Sequence, residues 1–193
     1  MIYRNKEYLY DEGRLKEEIK AHLTRSSIIN EPASRPSVTL NFGRAQNELR
    51  LSNSIFNISG DANLKKALNL RQEDTFYSQT ISHAYYAMFF ATQALLITQG
   101  LRTRPPNIHK ATLDAFAYHF IITGKIDIKL FELYHSSLIK ADNLLGLFVT
   151  EQEKRSEFTY KTISQSNIEP AQESITHAEE FLTHINMMLK SIE

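Results

Sequence analysis

Arg102, Arg104, His109 and Lys110 are crowded into one run, Leu101-Arg-Thr-Arg-Pro-Pro-Asn-Ile-His-Lys110. An arginine fork holds two phosphate oxygens at once and a lysine adds a point charge, so the grouping is suited to a nucleotide or RNA phosphate. The adjacent prolines, Pro105 and Pro106, keep the run out of a regular element and make it a loop. Two readings of it stay open: a solvated connection whose histidine starts the next helix, or a phosphate-binding surface. The other histidines singled out, His83, His119, His135, His177 and His184, lack metal-ligand spacing, although His177 and His184 lie two turns apart on one helix. There is no glycine-rich phosphate loop and no nucleophile elbow, so neither a metal nor a cofactor is read from the sequence.

Composition narrows the classes. Lys plus Arg and Asp plus Glu both total 22 in 193 residues, so affinity for nucleic acid has to come from a local patch and not from a global field. The absence of cysteine removes disulfides, thiolate metal sites and cysteine nucleophiles. The first 20 residues are charged throughout, and no apolar run reaches the ~18 residues a membrane span needs. The expectation is a cytoplasmic protein with no membrane partner.

The elements that must position the loop are helical. From Ser82 to Gly100 the apolar residues fill most of a helix circumference, with small Ala84, Ala87, Ala91 and Ala94 set among large Tyr85, Phe89, Phe90 and Leu95. This is the central helix of a bundle, with Asp74 or Thr75 as its N-cap and Gly100 at its C-terminal end. Leu15, Ile19 and Leu23 share one face of a charged N-terminal helix. Ser26 to Ser37, with Pro32 and Pro36, reads as a linker, and Val38 to Phe42 as a short extended piece. Helical stripes follow at Phe42–Phe56, weakly at 62–70, then at 108–122, from Asp127 toward Phe148, and from Ile168 or Pro170 to Leu189. No segment alternates as a strand does. The fold class expected is all-α: an antiparallel bundle of four to five helices with an N-terminal helical arm, residues 1–37 forming arm and linker and 38–193 the bundle domain.

Within this order, Tyr85-Tyr-Ala-Met-Phe89 followed by Ala94-Leu-Leu96, the loop with His109-Lys110, the Phe120–Gly124 stop, the Arg155–Tyr160 segment and the closing Ala178-Glu-Glu-Phe181 resemble the HEPN superfamily. The likeness covers about residues 42–190 and is nearest to small prokaryotic members often encoded beside a minimal nucleotidyltransferase. It implies a helical homodimer with a shared cleft. In ribonuclease members an Arg and a His, four to six residues between them, act there without metal: the 2′-hydroxyl attacks the adjacent phosphate, His assists proton transfer and Arg stabilises the phosphate charge.

The corresponding segment here is Arg155-Ser-Glu-Phe-Thr-Tyr160, with Tyr160 where the nuclease His would stand. A phenol of ordinary pKa near ~10 is a poor proton acceptor at neutral pH, so the motif reads as degenerate. Arg104 and Arg102 also stand at permitted spacings before His109, but on a loop with two prolines and not on a helix. The resemblance therefore implies a nucleotide-, RNA- or partner-binding protein of a toxin-antitoxin or defence system, with a nucleotidyltransferase-type partner. Two alternatives remain: a metal-independent ribonuclease using Arg155 with Tyr160 or a cleft histidine, and a structural adaptor acting through its N-terminal arm.

Overall fold

A computed structural model of the chain describes residues 10–145 and 168–192, together with Glu7; for 143–145 it describes the backbone alone. The elements are α1 (Glu12–Thr24), β1 (Ile28–Asn30), α2 (Arg35–Gly60), α3 (Ala62–Ala67), α4 (Tyr77–Thr98), β2 (Leu101–Thr103), α5 (Ile108–Phe116), a π-helical turn (Ala117–Ile121), α6 (Ile128–Leu145) and α7 (Ile168–Ile192). The fold is an all-α bundle carrying one two-stranded ladder. No helix among the described residues is long and apolar enough to cross a membrane.

The bundle forms around α4 because α4 has almost nothing polar to give to water. Between Gln79 and Ile97 only Gln79, His83, Tyr86 and Phe90 escape full burial, and steps of four, three and four residues put them on one stripe. The long α2 lies antiparallel against α4. Ser52 donates its hydroxyl to the Thr80 carbonyl (2.8 Å), Glu48 meets His83 (2.6 Å) and Arg44 stands over the Phe90 ring (5.6 Å). On its other sides α4 packs against α6 and α7. Tyr85, Phe116, Phe131, Tyr134 and Phe181, all fully buried, meet there. Tyr85 and Tyr134 stack with centroids 6.2 Å apart, and Phe116 sets an edge against Phe181 at 5.9 Å.

Several boundaries differ from the sequence reading, each for a local reason. Pro36 starts a helix where a linker is expected: it falls in the first turn of α2, where the missing N–H costs nothing, and Ser34 caps that turn by accepting from the Ser37 N–H at 3.4 Å. Val38 to Phe42 is accordingly helical and not extended. The cap of α4 is Phe76, whose N–H is donated to the Ser59 hydroxyl (2.9 Å), while Asp74 turns back to accept from the Arg71 N–H. The helix expected over 108–122 tightens into α5 and then widens into the π-turn, closed by Ile122 N–H to the Ala117 carbonyl at 3.0 Å.

The N-terminal helix packs on the body of its own chain. Leu15 and Ile19 enter the main core, but the third buried position on that face is His22 and not Leu23, which stays exposed. Part of the stretch read as a linker is β1, antiparallel to β2 with Ile28 opposite Thr103, Ile29 opposite Arg102 and Asn30 opposite Leu101. Two further bonds extend this ladder: Arg104 N–H to the Ser27 carbonyl (2.8 Å) and Glu31 N–H to the Gly100 carbonyl (2.9 Å). Gly100 is needed there, because its φ is +70° and a Cβ would lie 3.3 Å from the Glu31 carbonyl oxygen.

Candidate functional site

The ladder and the start of α5 fix where the loop cations point, and they do not point together. Arg102 and Arg104 stand on the strand edge and share one carboxylate: Arg102 Nη2 is 3.1 Å from Glu31 Oε1, and Arg104 Nη2 is 3.9 Å from Glu31 Oε2. Arg102 also donates to the Ser37 hydroxyl at 3.4 Å, which ties it to the first turn of α2. Both arginines keep substantial exposure, 36% and 54% of their side chains.

Lys110 points the other way, into the seam between α5 and α1. Its ammonium lies 2.7 Å from Glu18 Oε2 and 2.6 Å from Asp114 Oδ2, and the same Asp114 oxygen is 2.9 Å from His22 Nε2. Asp114 has no exposed side-chain surface and His22 almost none. Glu18, His22 and Asp114 bring ligand atoms close enough together to hold a metal ion, yet the Lys110 ammonium already sits between the two carboxylates and supplies the positive charge. The cluster is a four-membered polar latch between the N-terminal helix and the bundle.

His109, next to Lys110, faces the core. The Tyr85 hydroxyl and His109 Nδ1 are hydrogen-bonded at 2.7 Å, and the imidazole is flanked by the rings of Tyr85, Tyr86 and Phe89, the last only 4.8 Å away. Burial, only partly offset by the Asp142 carboxylate, pulls the His109 pKa down to about 4, so at neutral pH the ring is uncharged. The same burial pushes the Tyr85 phenol well above its usual range. His109 thus contributes no charge to the loop at neutral pH and lies half-buried against the aromatic cluster.

Arg155 and Tyr160, the segment matched to the nuclease motif, lie outside the described residues. Of the other histidines, His83 pairs with Glu48 across α2 and α4, and His177 lies 3.6 Å from Glu173 on its own helix. Sequence reasoning missed Glu18, His22, Asp114 and Glu31. The first three carried a signal, since Glu18 and His22, like Lys110 and Asp114, stand four apart on a helix and so share a face. Nothing in the spacing indicated that the two faces would meet, because they are 92 residues apart.

A helical bundle centred on a Tyr-Tyr-Ala-Met-Phe helix defines the class, and comparison with known proteins assigns the family. The model of the HEPN domain matches residues 59–188, and the chain belongs to the HEPN family. Two similar proteins of Methanocaldococcus jannaschii are each named "Putative toxin". One is 36% identical over 72 residues, 37% of this chain and 46% of its own length; the other is 30% identical over 120 residues, 62% and 76%. A UPF0332 protein of Gloeobacter violaceus is 27% identical over 79 residues, 41% of this chain and 57% of its own. The match thus spans under half of the first relative and about three quarters of the second. No solved structure matches.

Proposed function

We propose that this HEPN protein works by binding, as one component of a toxin-antitoxin or related defence pair. In this reading it is a homodimer whose Arg102 and Arg104 meet the phosphates of RNA or a nucleotide, Lys110 being taken up by Glu18 and Asp114, and whose protein partner is of the nucleotidyltransferase type. The observation that carries binding over catalysis is His109. It belongs to the same run as the loop cations, but its ring is half-buried, uncharged and hydrogen-bonded to Tyr85, packed against the aromatic cluster and not turned to the strand edge that carries the arginines. The toxin setting is supported by the names of the two Methanocaldococcus jannaschii relatives and by family membership.

The ribonuclease reading, with Arg155 and Tyr160 acting in a dimer cleft, draws support from the same toxin names. One assay separates the two: a mixed RNA pool incubated with purified protein in EDTA, wild type beside Arg155→Ala and His109→Ala. Binding without catalysis predicts intact RNA in all three. Cleavage lost in Arg155→Ala would replace the binding reading with a modified HEPN nuclease, and cleavage lost in His109→Ala would move the chemistry to the loop.

A further inference from the structure

The carboxylate facing Arg102 and Arg104 comes from a part of the chain that precedes the residues matched to the HEPN domain. Glu31 lies directly after β1, and its backbone is fixed to the body by the N–H bond to the Gly100 carbonyl at 2.9 Å. Its two oxygens are divided between the two arginines, one each. A carboxylate bridging two guanidinium groups occupies the place that a phosphate would take, since both anions offer paired oxygens to the same fork.

Building on the RNA-binding reading above, we infer that Glu31 is an internal mask over the Arg102–Arg104 surface, and that single-stranded RNA is the polyanion that displaces it. Three features make the mask displaceable. All three side chains are more than a third exposed, so water and salt screen their attraction and such pairs hold weakly. Only the Glu31 side chain has to swing aside, because the ladder bonds on either side of it are made by backbone groups. Arg102 stays oriented when Glu31 leaves, through its bond to the Ser37 hydroxyl. Lys110 behaves differently: Asp114, with no exposed surface, holds it from within its own helix, so the Glu18–Lys110–Asp114 latch anchors the N-terminal segment while Glu31 moves.

The test is equilibrium binding of a fluorescein-labelled single-stranded RNA to the full chain, with retention on heparin measured in parallel. The variants are Glu31→Gln, Arg102→Ala/Arg104→Ala and the triple combination. The glutamine keeps the backbone bond to Gly100, and thermal melting confirms that each variant is folded. The expected result is RNA binding about fivefold tighter in Glu31→Gln, a gain that is lost in the triple variant and shrinks as salt rises. Equal RNA binding by Glu31→Gln and wild type, with weakening in the double arginine variant, overturns the mask and leaves the RNA surface standing. If no variant binds RNA but Glu31→Gln elutes later from heparin, with that gain lost in the triple variant, the mask stands and RNA is the wrong polyanion. If neither measurement distinguishes Glu31→Gln from wild type, the mask is overturned.

Discussion

His109 shows how one residue changes meaning between chain and fold. In sequence it is one of four potential cations in a basic loop; in the structure it is an uncharged ring hydrogen-bonded to Tyr85. This has a consequence for stability against pH. With a folded-state pKa of about 4 and an unfolded one near ~6.5, the unfolded chain binds the proton first, so its contribution is fully present above about pH 6.5 and is lost as pH falls toward about 4. Protonation would place a charge on a ring packed among Tyr85, Tyr86 and Phe89. The stability measured by urea unfolding across that window should fall by up to about 1.4 kcal/mol per pH unit as pH is lowered in the wild type, with a flatter profile in His109→Gln. Equal slopes in the two proteins would remove His109 as the cause.

At the scale of elements, the seam between α1 and α5 gathers Glu18, His22, Lys110 and Asp114 where little water reaches. Replacing Lys110 with methionine takes the ammonium from the fully buried Asp114 and leaves His22 beside it, so the loss should fall at the low end for a broken buried pair, about 3 kcal/mol. Exposed Glu31→Gln should shift stability by no more than about 0.5 kcal/mol. Urea unfolding measures both effects, and hydrogen exchange along α1 should report its release in Lys110→Met. A small loss there would mean that Leu15 and Ile19 hold the helix in place without the latch.

The same scale shows what the sequence could tell. The burial of α4 and of the Ile175, Ala178, Phe181, Leu182 and Ile185 face of α7 was legible, because long apolar stripes at helical spacing leave few alternatives. β1 and β2 were not, since three residues each are too few to show alternation. The start of α2 was hidden by Pro36, which reads as a breaker unless its place in the first turn is known. At the candidate site the arginines were visible, but Glu31 and the latch were not, because pairing between distant segments leaves no local pattern.

For the whole molecule, the homodimer implied by the HEPN resemblance is checked directly by sedimentation of the full chain across a range of concentrations. The expected mass is twice that of one chain, and a single-chain mass throughout would confine any RNA surface to one copy. Adding RNA to the same cell would show whether ligand and assembly are linked.

The order of the ladder along the chain has a further effect during synthesis. β1 and Glu31 precede β2 and its arginines, so the acidic segment leaves the ribosome roughly 70 residues earlier, several seconds ahead at ~5–20 residues per second. Arg102 and Arg104 therefore emerge into a setting where their carboxylate is already tethered nearby. A nascent HEPN chain built this way has these two arginines attended from the moment they appear, beside messenger and ribosomal RNA.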